Sequence, residues 1–392
     1  MFWQKVIGFI LPVLGGYGQY DYTGSSTSNQ TLHYRYNSTH GLNNSTIDEV
    51  FQLHRTLVEI PSVTLYELEV GQVLEAYLTS RGLTVDRQQV SEDRFNLLAY
   101  KGAVNETRVL LVSHIDTVPP FFNYSSSEDG YQIYGRGSVD DKASVVAQTF
   151  AFLELLDTLG EGSVSILFDV GEEAGGAGIN YIEANIDYHW ETVIFGEPTE
   201  LKLGVGHKGV YGGSLKVNGL AAHSGYPELG IDANGILIDI LSNLRGIEWP
   251  SDELLGNTTL NVGVIEGGAA ANVISANSSA QLLFRVTNGI DLIDALVQDA
   301  IDRTGHSDRV EFTGTHKLPP VYFDYDVEGF ESIVLAYGTD AFGLAKKQIP
   351  HKLLYGPGTI HVAHSATEHI STDDLLEAVQ GYKSLIKWAL EQ

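Results

Sequence analysis

The 392-residue sequence contains no cysteine and a single methionine. Without cysteine there are no disulfides, no thiol nucleophile and no thiolate ligand. Any metal site must therefore be built from His, Asp and Glu. Basic residues are scarce: 23 Lys and Arg stand against 50 Asp and Glu, a formal net charge of −27. That balance argues against nucleic acid or an anionic membrane surface as the main partner. Long hydrophobic runs are also lacking. The one near the start, from Val6 to Leu14, is too short to span a bilayer, which takes about 20 apolar residues. No apolar tail follows Trp388, so a lipid-anchor signal is not expected. What is present is an apolar fraction of 43%, typical of a globular chain able to bury a sizeable core. At roughly 150 residues per domain, two domains are expected.

The first residues, MFWQKVIGFILPVLGGYGQY, place one Lys before the apolar run and small residues after it. This is the pattern of a secretory signal peptide, assigned to 1–18. N-x-S/T acceptors occur at Asn29, Asn37, Asn43, Asn44, Asn105, Asn123, Asn257 and Asn277. Their number, and the crowding of four between Asn29 and Asn44, support a secreted, extracellular glycoprotein. Residues 19–46 are rich in Gly, Ser, Thr, Asn and Tyr without a hydrophobic period, which predicts a flexible, glycosylated lead-in.

Helical patterning begins near Ile47, with Ser45 or Thr46 as cap and Pro61 as stop; a second helix is expected from about Leu65 to Arg81. Strand-like runs follow at 83–90, 95–100 and 108–114. A helix is expected from Asp140 to Leu159, then strands at 163–170 and 192–197. Apolar runs separated by helices indicate an α/β fold: a mainly parallel sheet with helices on both faces. From about Gly212 the order becomes strand, helix (Ile231–Leu244), strand, strand, helix (Leu292–Thr304), strand. That β-α-β-β-α-β order predicts an inserted ferredoxin-like domain. The expected organisation is thus a catalytic domain begun over 47–208, interrupted by an insert over 209–315, and completed over 316–392. It ends in a helix from Asp373 to Leu390.

The chemistry-bearing residues fall where strands end. His114 and Asp116 close a strand in SHIDTVP, Glu172 and Glu173 follow one in GEEAGG, and Glu197 follows another in GEPTE. Asp140 sits after a Gly-rich turn in GRGSVDDKA, and His364 in a Gly/Pro-rich loop, AHSATEHI. Ligands of open α/β sheets bind beyond the carboxyl ends of the strands, so these residues should share one rim. Two His and three carboxylates can hold two zinc ions. Metals roughly 3.5–4 Å apart polarise a carbonyl and acidify a water, and a further carboxylate then moves its proton. Asp116 can accept a hydrogen bond from the His114 ring and fix its tautomer.

With these motifs, the sequence from about residue 47 to its end resembles the zinc exopeptidases and deacylases that include carboxypeptidase G, aminoacylase, acetylornithine deacetylase and succinyl-diaminopimelate desuccinylase. Within them it is most similar to secreted fungal carboxypeptidase-like members. The resemblance implies that Asp140 bridges two zinc ions, with His114 and Glu197 on one and Glu173 and His364 on the other. It implies Glu172 as general base and Asp116 as the residue orienting His114. It implies an inserted domain that carries a homodimer interface and presents His223 to stabilise an oxyanion, with Arg285 binding a substrate carboxylate and Asn272 near the substrate. Glu at the position of Glu197 implies a peptide or N-acyl amino acid substrate with a blocked amine and a free carboxylate.

Two positions depart from the family pattern: Ala143 stands where Gly is usual, and Asp141 where Met is common. His207 and His369 are spare histidines, and His369 is the rival to His364 as last ligand. The competing functional readings are an aminopeptidase on the same metal core, against which Glu197 argues, and a non-enzymatic glycoprotein retaining the fold.

Overall fold

The computed structural model describes residues 34–160 and 162–392. The expected signal peptide, the start of the lead-in and Asn29 lie outside the described residues. The chain divides into two compact units. One runs to Gly204 and includes Phe323–Ile333 and Thr339–Gln392; the other comprises Val205–Tyr322 and Val334–Gly338.

The first unit is built on a six-stranded sheet. Its spatial order is Thr84–Ser91, Arg94–Tyr100, Val164–Asp169, Val109–His114, Thr192–Gly196 and His351–Tyr355. The last four run parallel to one another, and the first two form an antiparallel edge. The central strands VLLVSH, VSILFD and TVIFG are buried at every position, as expected where both faces of a sheet are covered. Because these strands are parallel, their carboxyl ends lie along one edge. His114 is the last residue of its strand, Glu197 follows directly on its own, and Glu172 comes in the turn just after Val164–Asp169.

The first three helices begin elsewhere than the sequence predicts. The first helix is Asn44–Glu59, with Asn43 rather than Ser45 or Thr46 as its cap: the Asn43 side chain accepts from the Thr46 N–H at 3.0 Å. The described residues of the lead-in are ordered, not flexible. Tyr34 stacks on Phe51 with ring centroids 4.4 Å apart, and the Asn37 amide donates to Asp373 at 2.7 Å. The second helix starts at Leu68 rather than Leu65, because Thr64 is drawn away to Asp116. The third starts at Lys142 rather than Asp140, because Asp140 is held in the turn before it. Lys142 is itself buried. Its ammonium donates to the carbonyls of Leu57 (2.7 Å) and Ile60 (3.0 Å), capping the end of the first helix.

The first helix also buries His54, whose Nε2 lies 2.8 Å from the Ser138 carbonyl in the turn leading to Asp140. Burial pulls the His54 pKa down to about 4. The unfolded chain, with a pKa near the ordinary 6.5, therefore binds more protons between these values. Stability is full above about pH 6.5 and falls as the pH drops toward 4, by an amount on the order of 3 kcal/mol. His54→Gln keeps a donor for Ser138 but cannot ionise. Urea midpoints at pH 7 and pH 4.5 should differ less in this variant than in the parent, and an unchanged difference would refute the assignment.

The second unit has the β-α-β-β-α-β order. Its sheet runs Thr259–Gly267, Asn277–Val286, Gly209–Asn218, Val310–Leu318, antiparallel throughout. Helices Ala233–Arg245 and Ile293–Asp302 pack their apolar faces into its core with Tyr211, Leu215 and Phe284. Asn277–Val286 alternates buried and half-buried residues, the period of a sheet covered on one face. Thr259–Gly267 is an edge strand with most of its residues exposed. No helix among the described residues is long and apolar enough to cross a membrane.

Candidate metal centre

Each donor reaches the rim by a local device. The turn carrying Glu172 and Glu173 opens on Gly171 at φ +85° and closes on Gly175 at φ +98°, a left-handed backbone suited to residues without a Cβ. His364 adopts φ +60° without being glycine, the kind of local strain that surrounding structure must hold in place.

The arrangement centres on Asp140. Its Oδ1 lies 3.1 Å from His114 Nε2, and its Oδ2 lies 3.1 Å from His364 Nε2. His364 Nε2 is also 3.1 Å from the Glu173 carboxylate. His114, Asp140 and Glu173 each offer a ligand atom within 4.8 Å of the others. One carboxylate thus faces two imidazoles with different oxygens, the geometry a bridging ligand needs. His114 Nδ1 lies 3.0 Å from the Asp116 backbone carbonyl; donation there leaves the Nε2 lone pair for a metal.

Asp116 does more than orient His114, and does that chiefly through its backbone, since its carboxylate is 3.5 Å from the ring. The carboxylate instead accepts the N–H groups of Gly171 (2.9 Å), Glu172 (3.1 Å) and Glu173 (3.3 Å), and the Thr64 hydroxyl (2.6 Å). It holds the whole Glu172–Glu173 turn. Burial opposes its ionisation, but the nearby His114 ring and the hydrogen bonds from Thr64 and Gly171 keep it below the usual carboxylate range.

Negative charge is crowded here. Burial, then the Asp140 carboxylate, pushes Glu173 up to about 7. Glu197 is buried and raised well above its ordinary value, first by burial and then by Asp140, Glu172 and Asp141. Burial also lifts Glu172 well above the usual range, with Asp340, Glu173 and Asp116 adding to it. Asp140 moves the other way: burial resists its charge, but His114 and His364 hold it low. Buried carboxylates at this density require cationic compensation. The His and carboxylate donors fit a pair of divalent ions in charge and in ligand type.

The structure separates the rival histidines. His369 turns away from the cluster, with Nδ1 2.8 Å from the Thr367 carbonyl and its ring against Tyr134. His207 is buried in the second unit; burial pulls it down to about 4, and Arg285 acts in the same direction. Asp141 is buried and lies outside the His114–Asp140–Glu173 group.

Within the second unit, His223 and Asn272 are neighbours. His223 pairs with Val273 in a β-bridge, and the Ser224 N–H donates to the Asn272 carbonyl at 3.1 Å. The Gly225 N–H donates to His223 Nδ1 at 3.0 Å, so the neutral ring carries its hydrogen on Nε2. His223 and Asn272 are exposed, and Arg285 is half-buried.

No sequence pattern assigns a role to Thr64, Arg136 or Glu368. Thr64 carries no local signal, since its partner Asp116 is 52 positions away. Arg136 and Glu368 lie inside GRGSVDDKA and AHSATEHI, but only the fold shows that they meet.

A parallel sheet whose carboxyl edge gathers His, Asp and Glu around one central carboxylate, with a ferredoxin-like insert, defines a metallohydrolase. The chain belongs to peptidase family M20/M25/M40, whose model matches residues 110–388. It is 43% identical over 348 residues to a peptidase M20 domain-containing protein of Schizosaccharomyces pombe, covering 88% of this chain and 85% of the relative. It is 42% identical over 378 residues to a probable carboxypeptidase of Aspergillus flavus, covering 87% and 90%. Its fold matches a tripeptidase of Staphylococcus aureus with a TM-score of 0.75 at 22% identity, covering 88% and 99%.

Proposed function

We propose that the protein is a secreted metallohydrolase that cleaves an amide bond next to a free carboxylate, with two zinc ions per subunit. Its substrate is a short peptide cut as a carboxypeptidase would, or an N-acyl amino acid. The observation that carries this reading is Asp140, with each carboxylate oxygen 3.1 Å from a different histidine Nε2. His114 and Glu197 are assigned to one ion, Glu173 and His364 to the other, and Asp140 to both. Bound there, the ions would polarise the scissile carbonyl and acidify a water. Glu172 takes the proton of that water and returns it to the departing amine. The carboxypeptidase description of the Aspergillus flavus relative supports the side of the bond, as does Glu197.

In the second unit, Arg285 is assigned to the substrate carboxylate, where a planar fork is apt, and Asn272 to the substrate beside it. His223 is assigned to the tetrahedral oxyanion; with the ring hydrogen on Nε2 it is ready to donate. His223→Ala should lower kcat about 10²–10³-fold with zinc content unchanged. A change confined to KM would remove His223 from the reaction step.

The Val6–Leu14 run supports secretion, as does the exposure of Asn37, Asn43, Asn44, Asn105, Asn123, Asn257 and Asn277. We assign a homodimer through the inserted unit. Its edge strand Thr259–Gly267 leaves Val264 46% and Ile265 61% exposed, a surface that natural proteins rarely leave unpaired. Sedimentation of the mature protein tests this.

The deciding experiment uses two dipeptides, one with a blocked amine and free carboxylate, one the reverse, each with and without chelator. Chelator-sensitive cleavage of the amine-blocked peptide alone is expected. Cleavage of the reverse substrate alone would make the protein an aminopeptidase. If zinc-loaded protein cuts neither, the peptidase reading fails.

A further inference from the structure

The metal-centre donors come from segments far apart in sequence, and two buried charges outside the donor set tie three of those segments together. Arg136 is 1% exposed and Glu368 is fully buried. Arg136 Nη1 donates to Glu368 Oε2. The other Glu368 oxygen, Oε1, accepts the backbone N–H groups of Val139 and Asp140, each at 3.3 Å. Arg136 Nε donates to the Pro120 carbonyl at 3.2 Å, on the loop that leaves His114 and Asp116. The Gly135 N–H donates to the Glu368 carbonyl at 3.3 Å. Glu368 itself lies four residues after His364.

We propose that Arg136 and Glu368 are positioning residues that set the spacing of the two metal subsites. The pair joins the loop after His114, the turn of Asp140 and the loop of His364. Asp140 can face both histidines only if those three segments keep one register. Glu368 supplies that register by gripping the Asp140 backbone while standing on the His364 loop. The guanidinium supplies the link to the loop after His114. The pair is neutral as a whole, so its effect on the centre is geometric rather than one of added charge. This inference rests on the two-metal reading proposed above.

Two double variants isolate the effect, because both remove the charge pair while only one removes the acceptor. Arg136→Met/Glu368→Gln retains an amide oxygen for the Val139 and Asp140 N–H groups. Arg136→Met/Glu368→Leu retains none. Zinc affinity is read by competition with a chromophoric chelator, and ligand geometry by the visible spectrum of cobalt-loaded protein. Thermal melts of the chelator-treated proteins report the fold separately. The Leu variant should bind zinc about 10–100-fold more weakly than the parent, the usual effect of removing an outer hydrogen-bond partner of a metal site. Its cobalt spectrum should be altered, and the Gln variant should recover part of both, the remaining loss reflecting the missing Arg136 link to the Pro120 carbonyl. If the Leu variant does not fold, Arg136→Lys serves: it keeps the charge paired but cannot reach both Glu368 and Pro120, and it should still shift the cobalt spectrum. Parental zinc affinity and an unaltered cobalt spectrum in a folded variant lacking the acceptor would overturn the inference. A parent that binds fewer than two zinc ions would overturn the two-metal reading, and this inference with it.

Discussion

Glu172→Ala should bind both zinc ions and turn over the amine-blocked dipeptide about 10²–10⁴-fold more slowly, the range general acid–base catalysis contributes. Two observations separate this residue from its neighbour. Glu173 contributes a ligand atom to the group formed with His114 and Asp140, and lies 3.1 Å from His364; Glu172 belongs to neither contact. Yet the backbone of Glu172 is fixed by its N–H bond to Asp116 at 3.1 Å, so its side chain is presented from a rigid turn. A carboxylate in that position, raised by burial, suits both taking a proton and giving it back. Glu172→Gln refines the test: it conserves volume and hydrogen bonding and removes basicity alone. Both variants should keep zinc stoichiometry and lose kcat with little change in KM. Substantial turnover in the Gln variant would assign the proton transfer to another group.

Asp140→Ala should lose both metals, whereas loss of His364 should leave one ion held by His114 and Glu197. The difference follows from position. Among the described residues, Asp140 alone pairs with both imidazoles, one with each oxygen, while His364 pairs with Asp140 and Glu173. In the proposed centre, removing it would also leave Glu173 and Glu197 without a carboxylate shared between their ions. Two readouts check this. Metal analysis after gel filtration should find neither ion in Asp140→Ala and about one in His364→Ala. Added chelator should lower the melting temperature of the parent, because a ligand bound only by the folded state stabilises it by mass action, and should leave that of Asp140→Ala unchanged. Full zinc occupancy in Asp140→Ala would contradict the bridging assignment.

The element types and the rim were readable from local pattern. Strands such as VLLVSH and VSILFD are buried at every position because both faces are covered, and burial of that kind leaves a direct mark on sequence. The boundaries were less readable where a side chain is claimed from elsewhere. Thr64, just before the expected second helix, is claimed by Asp116, and Asp140 leaves the expected third helix for the turn gripped by Glu368. In each case a long-range hydrogen bond outweighs helix propensity, which is worth well under 1 kcal/mol per residue for ordinary residue types.

The choice between His364 and His369 shows the same division. They stand five positions apart in one segment, and composition treats them alike. The left-handed backbone at His364 turns its ring to Asp140 and Glu173, while His369 begins the short strand paired with Tyr134. Asp116 was visible as the partner of His114 because they are two residues apart. Its grip on the Glu172–Glu173 turn was not, since those N–H groups come from the turn after a neighbouring strand. The donor inventory, the absence of thiol chemistry, the parallel sheet and the β-α-β-β-α-β insert are all written in the chain itself, because they depend on residue type and short-range periodicity. Which oxygen of Asp140 faces which imidazole, which histidine turns inward, and the meeting of Arg136 with Glu368 belong to the folded molecule. Those contacts join residues tens to hundreds of positions apart, and their geometry is set by how the strands are ordered in the sheet.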